Sequence, residues 1–123
     1  MTEIMRVLVV DDDPMQLAMI ERALPPTWFS VRCAATVAEM LADGPPFTPH
    51  VVLADVDMPD LPPERSVVAL ARGVMPHARV VLYSAWEDSK LRSLAMQLGA
   101  DAYISKSVSV IGIGQRLRDL YGG

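Results

Sequence analysis

Short apolar runs, separated by segments with helical spacing, organise the whole chain. We predict buried strands at Val7 to Val10, Val51 to Ala54, Val80 to Tyr83 and Ala102 to Ser105, with a weaker strand at Phe29 to Cys33. The run from Val7 is rich in β-branched residues and does not alternate with polar positions. This pattern is typical of parallel strands whose two faces are both covered by other parts of the protein.

Helical patterns lie between these runs. Asp13-Pro14 predicts an N-cap followed by proline at the first helical position. Residues 36–39 form a capping-box pattern that opens a short helix through Leu41, and we interpret Pro45-Pro46 as part of a loop. A third helix is predicted from Glu64 to Met75.

The last two helices are predicted from apolar positions that share one face. Apolar residues recur at i, i+3, i+4 and i+7 from Leu91 to Leu98, and Gly99 ends that helix. The final helix carries Val110, Ile113, Leu117 and Leu120 on one face. Because crossovers between parallel strands are right-handed, the alternation predicts an α/β fold. In it, a doubly wound, five-stranded parallel sheet has helices on both sides.

Composition narrows the class of protein. A chain of 123 residues, 51% of them hydrophobic, corresponds to one domain with its own core. The net charge of −4 argues against direct binding of nucleic acid by this chain. We expect Cys33 to be a buried, inert thiol, and Met15, Met19 and Met96 to fill gaps in the core.

The hydropathy of the chain and its first residues indicate where in the cell the protein is expected to lie. The chain contains no run of 18 apolar residues, and its N-terminus lacks the basic start and apolar stretch of a signal peptide. The expectation is a cytoplasmic protein that does not span or contact a membrane.

Polar groups capable of chemistry stand where four of the strands end. The first strand ends in three aspartates at 11–13, the third at Asp55, the fourth at Ser84 and the fifth near Lys106. The carboxyl ends of parallel strands meet at one edge of the sheet, where ligands bind. Carboxylates a few ångströms apart repel one another unless a cation lies between them, and Mg²⁺ combines carboxylates with water and phosphate oxygens. A carboxylate can also accept a phosphoryl group if its charge is neutralised.

Four stretches together make the chain resemble the receiver domains of two-component response regulators over nearly its whole length. They cover residues 7–14, 55–59, 84–85 and 99–106. Each stretch is weak evidence alone, but their order and spacing are specific. The resemblance implies a flavodoxin-like fold with strand order 2-1-3-4-5. It also implies phosphotransfer to Asp55 from a histidine kinase or a phosphotransfer protein.

The resemblance further implies roles for single residues. Those that match the family's ligands for Mg²⁺ or Mn²⁺ are Asp11, Asp12, Asp55 and the backbone carbonyl of Asp57. Ser84 and Lys106 match the residues that contact the phosphoryl group. Tyr103 matches the aromatic residue that swings inward on activation. The implied activity is signalling, with no enzymatic reaction beyond the domain's own phosphorylation.

The sequence departs from the family's pattern near the site. Ser107 stands where the family usually has proline, which removes the usual reason for a cis bond and leaves the conformation of the Lys106-Ser107 bond open. After Asp11 and Asp12, Asp57 adds a third acid beside the site. Its carboxylate is expected to strengthen the attraction for a cation and to repel a phosphodonor. Trp86 is large enough to shield the site. Residues 60–64 replace a glycine-containing loop.

Two other functions stay open on the sequence alone. One is a degenerate receiver that acts as a phosphorylation-independent interaction module. The other is a haloacid-dehalogenase-like phosphatase, which would use Asp55 and Asp57 as an Asp-x-Asp motif. Against the phosphatase, two strands precede the motif and the chain lacks room for that family's larger core and cap.

Contacts with other proteins are expected on the face formed by the fourth helix, fifth strand and fifth helix. This expectation rests on analogy with the fold. An output domain, a partner protein or a second copy of the chain in a homodimer would bind there, using Trp86, Lys90, Tyr103 and Arg116. We expect residues 1–123 to form one receiver domain, with no output domain in this chain.

Overall fold

Five strands and five helices alternate along the chain in a computed structural model that describes residues 3–62, 64–106 and 110–122. The strands are β1 Met5–Val10, β2 Phe29–Ala34, β3 Val51–Ala54, β4 Arg79–Ser84 and β5 Ala102–Ser105. The helices are α1 Pro14–Ala23, α2 Val37–Phe47, α3 Val67–Val74, α4 Asp88–Leu98 and α5 Ile111–Tyr121. All five predicted strands are confirmed. Within the described ranges, no helix has the length and apolar character needed to cross a bilayer.

The strands form one parallel sheet in the order β2-β1-β3-β4-β5, as predicted. In this register Val10 at the end of β1 stands beside Ala34 of β2 and Ala54 of β3. Ser84 at the end of β4 stands beside Ser105 of β5. The chain leaves β1 in one direction to form β2 and returns to its other side to form β3. The crevice at this reversal is where doubly wound sheets bind ligands.

Two hydrophobic clusters cover the two faces of the sheet. Successive side chains of a strand point to opposite faces. Leu8 and Val10 therefore join the cluster that includes residues of α2, α3 and α4, whereas Val7 and Val9 join the cluster with α1 and α5. All four side chains are buried. Burial on both faces explains why the strands are continuous apolar runs without polar alternation.

The predicted helix ends are confirmed at three places. The Asp13 side chain accepts a hydrogen bond from the N–H of Met15 at 3.0 Å at the start of α1. The hydroxyl of Thr36 accepts from the N–H of Glu39 at 3.0 Å at the start of α2. Gly99 ends α4 with a φ of 75°, a left-handed conformation that glycine adopts without a steric penalty.

Helices α2 and α3 differ from the prediction. Helix α2 continues through Pro45 and Pro46 to Phe47, where we expected a loop. Phe47 packs against the α2–α4 side of the core, and this tertiary contact favours the helix over the local preference of its prolines. Helix α3 begins three residues later than predicted. Its cap is Ser66, whose hydroxyl accepts from the N–H of Ala69 at 3.0 Å.

The prediction that Met15, Met19 and Met96 fill gaps in the core was wrong. Met15 is 70% exposed, Met96 is 75% exposed, and Met19 is also exposed. The inward faces of α1 and α4 are occupied by other apolar residues, among them Leu17 and Leu91, so these methionines point to solvent. Among the residues that the structure describes, the buried methionines are Met5, Met40, Met58 and Met75.

Cys33 is half-buried, not fully buried as expected. Its Sγ donates to a carboxylate oxygen of Glu21 at 3.4 Å. Burial, the hydrogen bond and the nearby negative charge raise the pKa of the thiol to about 11. Because the thiolate is the reactive form of cysteine, this environment agrees with the expected inert thiol.

Two methionine variants test the assignment of the core. Met40→Ala removes a side chain that is fully buried on α2, so we expect a loss of about 2–5 kcal/mol in the free energy of unfolding, measured with urea. Met96→Ala is the matched control on the exposed face of α4, with an expected change within about 0.5 kcal/mol. Equal losses in the two variants would contradict the assignment.

Candidate functional site

Backbone pairing places two carboxylates side by side at the carboxyl edge of the sheet. The N–H of Asp11 donates to the carbonyl of Ala34 at 3.1 Å, and the N–H of Asp55 donates to the carbonyl of Val10 at 2.9 Å. The strand pairing thus continues one residue beyond β1 and β3. Asp11 is 1% exposed and Asp55 is 7% exposed, so both side chains are largely removed from water.

Asp12 completes a group of three acids. Asp11, Asp12 and Asp55 each offer a carboxylate oxygen, and these oxygens lie within 4.8 Å of one another. Asp12 is exposed, so the group is open to solvent on one side. All three donors are oxygen atoms, the ligands that Mg²⁺, Mn²⁺ and Ca²⁺ prefer. The residues therefore fit a hard divalent cation, in agreement with the prediction.

Lys106 connects the two buried acids. Its Nζ donates to Oδ2 of Asp11 at 3.1 Å and to Oδ2 of Asp55 at 3.0 Å. Its backbone N–H donates to the carbonyl of Ser84 at 2.8 Å, which fixes the lysine at the end of β5. Burial lowers the pKa of Lys106, but the hydrogen bonds and charges of Asp55 and Asp11 outweigh burial and raise its pKa overall. The ammonium group is therefore charged at neutral pH.

Each buried carboxylate also closes a tight turn with its other oxygen. Oδ1 of Asp11 accepts from the N–H of Asp13 at 3.0 Å, and Oδ1 of Asp55 accepts from the N–H of Asp57 at 3.0 Å. Aspartate commonly stabilises turns by accepting a hydrogen bond two residues ahead. Both carboxylates are thus oriented by a local backbone donor on one side and by Lys106 on the other.

The carboxylate of Asp57 is bound by Trp86 and is not part of the group of three acids. Its side chain is exposed, and Oδ2 accepts from the indole Nε1–H of Trp86 at 2.9 Å. Among the described residues, Asp57 does not belong to the group whose oxygens lie close together. The structure therefore lends no support to the expectation that this carboxylate adds to the pull on a cation. The role of its backbone carbonyl stays a prediction.

Ser84 lies at the end of β4, the strand next to the one that leads to Asp55. The residue is buried, and its Oγ accepts from the N–H of Trp86 at 3.3 Å. Ser84 does not cap α4, because Glu87 occupies the N-cap position. A hydroxyl that accepts a hydrogen bond still has its own proton to donate. Ser84 therefore remains suited to contact an oxygen-rich ligand.

Tyr103 and Ser107 are the least determined of the predicted residues. Tyr103 is half-buried on β5, and its hydroxyl lies 3.4 Å from a carboxylate oxygen of Asp88 at the start of α4, a long distance for such a hydrogen bond. Its role as a switch stays a prediction. Ser107 lies outside the described residues, and the conformation of the Lys106-Ser107 bond therefore stays open.

Asp60 anchors the loop after Asp55, and sequence reasoning did not identify it. Its two carboxylate oxygens accept from the N–H groups of Val37 at 2.9 Å and Ala38 at 3.2 Å, at the start of α2. The hydrogen bond from Val37 is the main reason that the pKa of Asp60 lies below its ordinary value. The loop that carries Asp57 is thus held from two directions. No local sequence pattern predicts this contact, because 23 residues separate Asp60 from Val37.

Replacement of Asp60 tests this anchor through pH. The lowered pKa means that the charged carboxylate stabilises the fold above its ordinary pKa of 3.8, and that this contribution is lost as the pH falls through the lowered value. We expect Asp60→Asn to be less stable than wild type at about pH 6, with a smaller difference at about pH 3. Urea unfolding at both pH values measures this. Asp43→Asn, on the exposed side of α2, controls for surface charge, and a pH-independent difference for Asp60→Asn would contradict the anchor.

Replacement of Lys106 tests the charge balance of the site. Lys106→Met leaves Asp11 and Asp55 close together without their positive partner, so we expect a loss of about 3 kcal/mol in metal-free protein. Mg²⁺ should stabilise this variant more than wild type, because the cation no longer competes with the ammonium group. Urea unfolding with Mg²⁺ or with EDTA measures both effects. Lys90→Met, on the exposed surface of α4, is the control, and an equal gain from Mg²⁺ in all three proteins would refute this charge balance.

Solved structures with this arrangement of strands and helices are known. The chain superimposes on a CheY-like response regulator receiver domain protein from Methanospirillum hungatei with a TM-score of 0.77 and 25% identity, covering 95% of this chain and 93% of that one. A response regulator from Thermotoga maritima gives a TM-score of 0.82 over 98% of this chain and all of that one, and at 23% identity it supports the fold alone.

Sequence comparison leads to the same family. Residues 7–118 match the family described as the response regulator receiver domain. The transcriptional regulatory protein PrrA of Mycobacterium leprae is 34% identical over 115 residues, which are 94% of this chain and 49% of PrrA. The transcriptional regulatory protein MctR of Rhizobium johnstonii is 32% identical over 121 residues, or 96% of this chain and 56% of MctR. This chain thus spans about half the length of these relatives. It belongs to the receiver domain family of two-component response regulators.

Proposed function

We propose that this chain is the phosphoacceptor domain of a two-component phosphorelay, and that it takes a phosphoryl group from a phosphohistidine onto Asp55. The donor is a histidine kinase or a phosphotransfer protein. The main support is the arrangement at the β1–β3 crevice. There, Asp55 and Asp11 lie buried side by side and share the ammonium group of Lys106, at 3.0 Å and 3.1 Å.

Asp55 acts as the nucleophile in this proposal. A carboxylate oxygen forms a bond to phosphorus while the bond between phosphorus and the imidazole nitrogen breaks, and the electron pair of the broken bond stays on the imidazole, which takes up a proton. The hydrogen bond from the N–H of Asp57 to Oδ1 holds the carboxylate in one orientation. An oriented nucleophile lowers the entropic cost of reaching the transition state.

Mg²⁺, held by Asp11, Asp12, Asp55 and the backbone carbonyl of Asp57, would neutralise part of the negative charge that gathers on the phosphoryl oxygens. Lys106 supplies further positive charge. Its ammonium group already contacts the acceptor carboxylate and needs only a small movement of a flexible side chain to reach an added phosphoryl oxygen. The buried hydroxyl of Ser84 is suited to donate to another of these oxygens.

The alternative functions have less support. A phosphatase that uses an Asp-x-Asp motif needs the second acid to face the reacting group, whereas the carboxylate of Asp57 is bound by the indole of Trp86. A receiver that does not use phosphorylation has no need of an acceptor carboxylate paired with a lysine. This chain has that pair, with Lys106 hydrogen-bonded to Asp55 and to Asp11.

Signal output is proposed for the face formed by α4, β5 and α5. The relatives PrrA and MctR are named transcriptional regulatory proteins and are about twice as long as this chain. We infer that phosphorylation alters this face through Ser84 and Tyr103 and so changes contacts with an output domain, a partner protein or a second copy of the chain. Tyr103 is suited to this role because it lies on β5, two residues before Ser105, and its hydroxyl faces the start of α4.

Phosphorylation by a small phosphodonor tests the proposal. With acetyl phosphate and Mg²⁺, we expect the intact mass to increase by one phosphoryl group that is lost in base, as an acyl phosphate is. Asp55→Asn should abolish the increase, because an amide is a poor nucleophile. EDTA should do the same to wild type by removing the cation.

Asp119→Asn is the matched control. Asp119 lies near residues 3–5 at the opposite edge of the sheet, so this variant should be labelled as wild type is. The proposal fails if wild type gains no phosphoryl group from acetyl phosphate or from phosphorylated histidine kinases, or if Asp55→Asn is labelled equally well.

A further inference from the structure

One hydrogen bond joins two loops at the edge of the acidic group. Trp86 belongs to the loop between β4 and α4, and Asp57 to the loop between β3 and α3. Their parent strands are neighbours in the sheet, with Ala54 paired to Leu82. The indole Nε1–H of Trp86 donates to Oδ2 of Asp57 at 2.9 Å. This contact bridges residues that are 29 positions apart in the sequence.

The backbone holds both partners in place. The N–H of Asp57 donates to Asp55, and the N–H of Trp86 donates to the hydroxyl of Ser84. Each partner of the bridge is therefore tied to a residue at a strand end. Trp86 is 39% exposed, so its hydrophobic burial is incomplete. The hydrogen bond donated by the indole N–H therefore helps to hold the ring at this position.

The hydrogen bond between Trp86 and Asp57 determines where the negative charge of Asp57 lies relative to the three acids. Asp11, Asp12 and Asp55 already gather three negative charges, against the single positive charge of Lys106. Asp57 lies two residues from Asp55, so its unrestrained carboxylate could turn towards a cation bound there. Indole donates one directed hydrogen bond and carries no charge. It can therefore fix the direction of the carboxylate without neutralising it.

We propose that Trp86 sets the cation affinity of the site by holding the carboxylate of Asp57 out of the cation's reach. The cation is then left to the carboxylates of Asp11, Asp12 and Asp55 and to the backbone carbonyl of Asp57. This inference rests on the proposed function in so far as a divalent cation binds there. It makes Trp86 a positioning residue that acts through Asp57, and it assigns the indole a purpose beyond shielding the site.

Loss of the indole donor should therefore strengthen cation binding. In Trp86→Phe an aromatic ring remains but the N–H is gone, so Asp57 is free to turn towards the cation, directly or through a bound water. An additional carboxylate within several ångströms of a divalent ion should tighten binding by about threefold or more, even in a largely aqueous environment. In the Asp57→Asn background the same replacement should have no such effect, because no charge is released.

Titration with Mn²⁺, followed by electron paramagnetic resonance of the free ion, measures this coupling directly. The four proteins are wild type, Trp86→Phe, Asp57→Asn and the double variant. Trp28→Phe is the matched control, since Trp28 stacks with Arg118 and lies at the opposite edge of the sheet, where its carbonyl accepts from the N–H of Met5. We expect tighter binding only for Trp86→Phe.

The indole proton gives an independent readout without metal. In proton–nitrogen correlation spectra, the Nε1–H resonance of Trp86, identified by its absence in Trp86→Phe, should shift when Asp57 is replaced by alanine. The resonance of Trp28 should not. An unshifted Trp86 resonance would show that the hydrogen bond is absent in solution and would overturn the inference.

The outcomes separate this inference from the proposed function. Equal Mn²⁺ affinity of wild type and Trp86→Phe, or equal tightening with and without Asp57, overturns the role of Trp86 even if Asp55 is phosphorylated normally. Conversely, coupling between Trp86 and Asp57 in proteins that acetyl phosphate and kinases fail to label supports the inference and rejects the proposed function. If no variant binds Mn²⁺, the inference fails.

Discussion

The pairing of one lysine with two buried carboxylates is the interaction on which the site depends. Asp11 and Asp55 lie side by side because β1 and β3 are neighbours in the sheet, and both are largely removed from water. Two such acids without a positive partner would repel each other and favour protonation. Lys106 reaches them from β5, at the edge of the sheet, and its ammonium group donates a hydrogen bond to each. The same positive charge serves the proposed chemistry, because it lies beside the carboxylate to which a negatively charged phosphoryl group would be added.

The loops around this pairing are held by side chains and not by their own regular structure. Asp60 binds the start of α2, and Asp57 binds the indole of Trp86, so the loop after Asp55 is fixed to elements on both sides of it. Loops that carry functional groups need this kind of support to keep the groups in position. The supporting contacts use charged and polar atoms at the surface and not buried apolar side chains.

The two hydrophobic clusters explain how a small domain can bear this concentration of charge. Each face of the sheet is covered by helices, and the inner strands β1, β3 and β4 are buried except at Arg6 and Arg79. The apolar core thus supplies the stability, while the polar groups are confined to the edge where the strands end. Asp57, Trp86 and Asp60 belong to this polar edge and to neither of the two hydrophobic clusters.

The sequence by itself determined the strands, the order of elements and the main residues of the site. Parallel strands buried on both faces leave continuous apolar runs, and the ends of such strands must converge, so Asp11, Asp55 and Lys106 could be placed together from the sequence. Only the tertiary structure decided the direction of the Asp57 carboxylate, the capping of α2 by Asp60 and the exposure of Met96. Each of these depends on which elements pack together, across separations of 29 and 23 residues for the two loop contacts. Periodicity is a local property of the chain, and it carries no information about contacts between loops that meet only after the sheet has formed.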